Sequence, residues 1–153
     1  MLTFEHSSLL NTTPTVLKEH SSRIAGVNRE MFPIARMTVP AEYASMDLSQ
    51  AQPGKKLFRS WILFLGFIPI DYDDITFTDI FPDGGFQESS TMATNRIWKH
   101  RRAIVLEQSG TRLTDLIQYE PRIYLLGLLM FPIYRLTFAL RHFNLKRIFK
   151  TSR

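Results

Sequence analysis

RIWKHRRAIVLEQSGTRLTDLIQYEP, Arg96–Pro121, decides the fold. It reads as two strands joined by a two-residue turn at Ser109-Gly110, a pairing that tight hairpins accept. That turn pairs Gln108 with Thr111, and the register then sets Leu106 opposite Leu113, Ile104 opposite Asp115, Arg102 opposite Ile117 and His100 opposite Tyr119. Opposed residues share a face. One face therefore carries Trp98, His100, Arg102, Ile104, Leu106, Leu113, Asp115, Ile117 and Tyr119, and the other carries Lys99, Arg101, Glu107, Arg112, Gln118 and Glu120. The first face is an inward one with ionisable groups set into it, and Arg102 and Asp115 sit diagonally within reach of an ion pair. Buried charges need partners, so this face belongs to a core with a structural ion pair or to the wall of a cavity.

Working outward, Phe86–Met92 is a strand ahead of this hairpin, and Pro82-Asp83-Gly84-Gly85 is a turn. Ile75–Phe81 alternates as a strand, and Leu57–Leu65 is an apolar strand bounded by Pro53-Gly54 and Gly66. A second strand is expected within Ala41–Ser49. At the N-terminus, Leu2, Phe4 and His6 alternate with polar residues as a first strand. Two short helices follow: one from Pro14, capped by Thr13, and one capped by Asn28 and running to about Ala35. After Pro121 the apolar period becomes helical. A long helix is expected over residues 132–149, opened by Pro132, with Ile133, Leu136, Leu140 and Phe143 as its apolar stripe, widened by Phe138, Leu145 and Phe149. The fold class is α+β: about seven antiparallel strands curved around one long C-terminal helix, with two short helices after the first strand. Such a sheet must bury that helix on one face.

The 153 residues suit one domain, residues 1–153, with 44% hydrophobic and 22% charged content. There is no cysteine, which removes disulfides, thiolate metal sites and cysteine nucleophiles, and is compatible with a reducing, cytoplasmic compartment. The start MLTFEHSSLL lacks the basic-then-apolar order of a signal peptide. No run of about 18 uncharged apolar residues occurs, so no membrane-spanning helix is expected. The formal net charge of +5 is unevenly placed: residues 122–153 hold seven Lys or Arg and no acid. That basic end reads first as a solvated helix face, with an anionic membrane surface as a further candidate partner and a membrane-peripheral location as its corollary. Nucleic acid is not expected as a partner, and oligomeric state stays open.

The order of elements and several short pieces resemble the SRPBCC superfamily, the START-like, helix-grip fold of lipid-transfer proteins, birch-pollen-type allergens and polyketide aromatase/cyclases. The pieces are Phe4-Glu5-His6-Ser7, Gly66-Phe67-Ile68-Pro69, Trp98-Lys99-His100, Gly110-Thr111 with Asp115, Tyr119-Glu120-Pro121 and Arg141-His142. The likeness is to bacterial ligand-binding members. It implies a hydrophobic cavity between sheet and long helix that holds a lipid, quinone or polyketide-like molecule.

Candidate cavity residues are Trp61, Phe64, Phe67, Phe77, Trp98, His100, Arg102, Asp115, Ile117, Tyr119, Leu136 and Leu140. His100 with Tyr119 could form an acid/base pair for a cyclase or dehydratase, or the histidine could simply fix the hairpin. Arg102 with Asp115 could anchor an anionic group, or be a structural pair. Ile123–Phe131 could dip into a membrane or cover the cavity. His6, His20, His100 and His142 are scattered without metal-ligand spacing, and no phosphate loop or nucleophile elbow is present, so no metal or cofactor is expected. The leading expectation is carriage of an apolar molecule without catalysis.

Overall fold

The structure is a computed structural model, and it describes residues 1–150. The chain runs β1 (Leu2–Leu10), α1 (Pro14–Ser21), α2 (Ile24–Met31), β2 (Ala35–Met37), β3 (Lys56–Phe64), β4 (Ile68–Ile80), β5 (Phe86–Met92), β6 (Asn95–Glu107), β7 (Gly110–Pro121) and α3 (Tyr124–Ile148). The seven strands form one antiparallel sheet in the order β1-β7-β6-β5-β4-β3-β2. Register shifts within β3/β4, β4/β5 and β6/β7 bend the ladder, because an extra residue on one strand kinks it and raises its twist. The sheet curls as a half-barrel with α3 across its concave side. This is the expected α+β helix-grip arrangement.

The hairpin keeps the expected faces but not the expected register. The loop is Gln108-Ser109, Glu107 pairs with Gly110, and Leu106 stands opposite Thr111. Relative to the expected pairing every partner moves by two residues, so no side chain changes face. Arg102 now stands directly opposite Asp115, His100 opposite Ile117, and Trp98 opposite Tyr119.

Thr13 caps α1, its hydroxyl accepting from the Val16 amide, and Pro14 opens the helix. The second helix begins earlier than expected, at Ile24, and Asn28 lies inside it. The Asn28 amide is used elsewhere: its Nδ2 donates to the Met37 carbonyl (2.9 Å) and its Oδ1 accepts from the Met37 amide (2.7 Å). No strand forms within Ala41–Ser49. Two 3₁₀ turns, Ala41–Tyr43 and Leu48–Gln50, occupy that region, the second capped by Asp47 accepting from Ser49. The second strand is instead Ala35–Met37.

α3 also starts earlier than expected. Pro132 is interior to it and faces outward, so the carbonyl that loses its helical donor meets the exterior rather than the core. Gly127 allows the first turns to close on the end of β7, since a Cβ there would meet Pro121 Cγ at 2.3 Å. The inward face of α3 is Gly127, Tyr134, Phe138, Arg141, His142 and Leu145. The expected stripe divides: Phe138 and Leu145 are buried, whereas Leu136 is 67% exposed, Ile133 53% and Phe143 57%. Both faces of α3 are apolar, so periodicity alone does not choose between them. The polar groups of the sheet choose, because only the Arg141 and His142 face can satisfy them. By length and composition α3 is also long and apolar enough to cross a membrane, contrary to expectation, and only 22% of its most apolar window is buried.

Candidate functional site: a cavity backed by an ion-pair network

A cavity of about 650 Å³ lies between the sheet, α2 and α3. Its apolar wall includes Ile24, Met31, Ile62, Phe77, Phe86, Trp98, Met130 and Phe138, and its polar lining includes Asp71, Asp73, Glu88, His100 and Arg102. The helices are held at a distance from the strands by the bulk of Phe58, Ile75 and Phe77 on one side and Phe4, Trp98 and Tyr134 on the other.

Of the residues expected from sequence, Phe64, Phe77, Trp98, His100 and Arg102 line this cavity. Asp115 is fully buried behind Arg102 and His100. Ile117 and Tyr119 are equally buried, packed with Phe4 and Phe138 beneath α3. The Tyr119 hydroxyl donates to the Gly127 carbonyl (2.8 Å), away from His100, so the candidate acid/base pair does not form. Burial, then Tyr134, pushes the Tyr119 phenol up to about 12. Trp61 lies on the convex side of β3, edge-on to Tyr72. Residues three apart on a strand cannot share a face with each other, which is why Phe64 lines the cavity and Trp61 does not. Phe67 is 70% exposed at the β3–β4 turn. Leu136 is on the outer face of α3, and Leu140 is half-buried outside the cavity lining.

Behind the polar lining lies an ion-pair network. Arg102 donates to both oxygens of Asp115 (2.8 and 2.8 Å), to both oxygens of Glu30 (3.2 and 3.2 Å) and to Ser21 Oγ (3.3 Å). A guanidinium has five N–H donors, so Arg102 is fully committed inside the protein. Arg141 adds two further bonds to Glu30 Oε2 (3.0 and 2.7 Å). Nε2 of His100 and of His142 approach Asp115 at 2.8 and 3.0 Å. Asn144 donates to the carbonyls of Glu30 and Phe32, tying α3 to the end of α2. His20 Nε2 lies 3.5 Å from Glu30 but makes no hydrogen bond. Two guanidiniums thus face two carboxylates.

The electrostatics follow from this pairing. Burial pushes the Glu30 carboxyl up, but the Arg102 and Arg141 guanidiniums outweigh it and hold it well below the usual carboxylate range. Burial likewise opposes ionisation of Asp115, and Arg102 with His100 overrides it. Arg102 is raised: burial lowers it, but Asp115 and Glu30 together do more. Asp73 is the exception. Burial, then the neighbouring Glu88, pushes its carboxyl well above the usual range, and its Oδ1 has no hydrogen-bond partner. Glu88 accepts from Ser90 Oγ at 2.5 Å and lies 3.8 Å from His100 Nδ1. Asp71 is satisfied by the Tyr72 and Ala93 amides and the Thr94 hydroxyl. Among the described residues no group of three or more His, Asp or Glu side chains is placed to hold a metal ion.

Glu30, Asp73 and Glu88 escape the sequence reading, and Arg141 enters it only within the Arg141-His142 piece, without a site role. Glu30 carried one signal, an acid on an otherwise apolar face of a short helix with Ile24, Val27 and Met31.

The family model described as Domain of unknown function (DUF8410) matches residues 8–149. The chain belongs to the DUF8410 family. No curated protein matches the DUF8410 chain in sequence. Among solved structures, a protein from Chromobacterium violaceum superposes with a TM-score of 0.75 at 9% identity, covering 98% of this chain and 99% of that one. A Mycobacterium smegmatis protein gives 0.69 at 15% identity, with 99% and 93% covered. A START superfamily protein, also from Mycobacterium smegmatis, gives 0.66 at 8% identity, with 96% of each chain covered. These likenesses are of fold: the DUF8410 chain has a START-like, helix-grip fold.

Proposed function

We propose that the protein binds and carries a hydrophobic small molecule (a lipid, quinone or polyketide-like compound) in the cavity between sheet and helices. The observation that carries this reading is the cavity itself: about 650 Å³, walled mainly by apolar side chains with a few polar groups. That is the size and character of a small-molecule site. A core of this length would normally close such a space, because interiors pack to near-crystalline density.

Catalysis by His100 as a cyclase or dehydratase is the second reading, favoured by its place on the cavity wall. It is weaker because both ring nitrogens are turned to carboxylates, Nε2 to Asp115 and Nδ1 towards Glu88. Arg102 has no donor left for a ligand, so its pairing with Asp115 and Glu30 supports a structural role.

Native mass spectrometry of the purified protein, followed by solvent extraction, tests the carrier reading. An apolar adduct of defined mass is expected. A clean apo mass, with no uptake from a panel of lipids and quinones, overturns it. For the second reading, His100→Ala would abolish turnover of the extracted molecule while leaving its binding nearly intact.

A further inference from the structure

α3 buries polar side chains at its C-terminal half while leaving a row of large apolar ones exposed. Its inward side carries Arg141, His142 and Asn144 into the sheet. Its outward side carries Leu125, Leu128, Leu129, Ile133 and Leu136, with Phe143 two turns further along the same side, all exposed. Such a row of apolar side chains on one side of a helix is a packing surface, yet among the described residues none covers it. Contiguous apolar surface of this kind marks a contact with another phase or molecule.

The surroundings say which. Arg122, Arg135, Lys146 and Arg147 flank the stripe and are exposed, and no acidic residue follows Glu120 in the sequence. Apolar stripe and cationic flanks together are the pattern of a helix lying in the plane of an anionic lipid surface. The stripe also runs into the cavity: Ile133 is half-exposed and lines it, next to Leu126 and Met130. On the opposite rim, Phe64 and Ile70 line the same cavity and flank the β3–β4 turn, where Leu65 and Phe67 project. Leu65 holds a left-handed backbone, φ 53°, at a position where its side chain is half-exposed. That conformation is costly for a branched apolar residue. The Leu65 amide donates to the Ile34 carbonyl (2.7 Å), which fixes the turn, while the side chain projects outward.

We infer that the outer face of α3 docks on an anionic lipid bilayer, helix in plane, with the cavity rim brought to the lipid. Spanning is disfavoured, because Arg141 and His142 are bound to Glu30 and Asp115 and would leave the sheet only by breaking those bonds. The docking gives the proposed cavity its exchange route, and in that respect rests on the carrier reading; the docking itself is tested separately from it.

The test is flotation of the full chain with vesicles of phosphatidylcholine alone and of phosphatidylcholine mixed with phosphatidylserine, at low and high salt. Leu129→Glu and Leu136→Glu are compared with wild type; both residues are about two-thirds exposed and neither lines the cavity. Wild type is expected to float with the anionic vesicles and to be released by salt. Each variant is expected to lose roughly tenfold or more in partitioning, while uptake of Nile red in vesicle-free buffer stays at the wild-type level. Absence of wild-type flotation on anionic vesicles, or unchanged flotation of both variants, overturns the inference. So does light scattering that shows a dimer broken by Leu136→Glu, since a second copy would then cover the stripe. Flotation without any Nile red uptake would leave the docking standing and sink the carrier reading instead.

Discussion

Arg102 and Asp115 face each other as register partners on β6 and β7 and share two hydrogen bonds of 2.8 Å. The same guanidinium reaches Glu30 on α2, so one side chain joins the sheet to the helical bracket that roofs the cavity.

Arg102→Met leaves two buried carboxylates without their main cation. Removing one partner of such a group typically costs about 3–5 kcal/mol, which for a chain of this length is a fall in Tm of roughly 10 °C or more. Arg102→Lys should recover little, because one ammonium cannot reproduce two bidentate contacts. The loss depends on pH with a definite sign. Glu30 and Asp115 are held below their ordinary values, so their contribution is complete above the unfolded carboxylate range, near about 4. It fades as pH falls through their folded values. The wild-type and Arg102→Met melting curves should therefore converge on acidification. A gap of constant size from neutral to acid pH would show that lost packing, and not charge, is the cause.

Asp73 behaves in the opposite sense. Its carboxyl is raised by burial and by Glu88, so its ionisation lowers stability as pH rises from its unfolded value to its folded one. Asp73→Asn removes that ionisation. It should melt higher than wild type at neutral pH and no higher below about pH 4. Thermal melts across that interval decide it; a variant less stable at neutral pH would mean that the ionised Asp73 is paired.

Gly26 lies where α2 meets the end of α1, and a Cβ there would sit 1.8 Å from the His20 carbonyl oxygen. Gly26→Ala must separate the two helices, at about 1–3 kcal/mol or more for overpacking. Urea unfolding should show a lower midpoint, and the cavity, whose wall includes the adjacent Ile24 and Val27, should bind Nile red less tightly.

The protein has two tryptophans, one on the cavity wall and one on the convex surface. In Trp61→Phe all tryptophan emission comes from Trp98, which is 7% exposed. That emission should be blue-shifted relative to wild type and quenched by a brominated apolar ligand at saturation. In Trp98→Phe, the Trp61 emission should be red-shifted and insensitive to the same ligand. Equal quenching of both would place the ligand outside the cavity.

Leu65→Asn or Leu65→Gly relieves a left-handed backbone that leucine tolerates poorly, so either should raise stability by about 1 kcal/mol. Both should also weaken vesicle binding, since the projecting apolar side chain is lost. Denaturant midpoints and flotation read the two effects independently.

The sheet was legible where side chains alternate strictly. Trp98 to Glu107 and Thr111 to Tyr119 sort onto two faces by a period of two, and that sorting survives the two-residue difference in register. The register itself was not legible, because Gln108-Ser109 and Ser109-Gly110 are both acceptable turns and both keep His100, Arg102 and Asp115 inward. Glu30 was hidden by distance: it is 72 residues from Arg102, and nothing local marks them as partners. The orientation of α3 was lost for a different reason. Its stripe of Ile133, Leu136 and Phe143 obeys every rule for an inward face, and sequence cannot say that Arg141 and His142 are needed inside. The span Ala41–Ser49 lacked alternation, and its turns depend on Asp47 and on contacts with the β3 side of the core.

The Asn28 amide beside Met37 has a consequence for how molecules of this protein meet one another. β2 is the last strand of the sheet, and three residues long. Its unpaired side would otherwise offer a free donor and acceptor on which a neighbouring chain could build. The carboxamide of Asn28 supplies the matching acceptor and donor, acting as a one-residue surrogate strand that ends the ladder. At Met37 the rim of the sheet therefore has no donor or acceptor to offer a neighbouring strand.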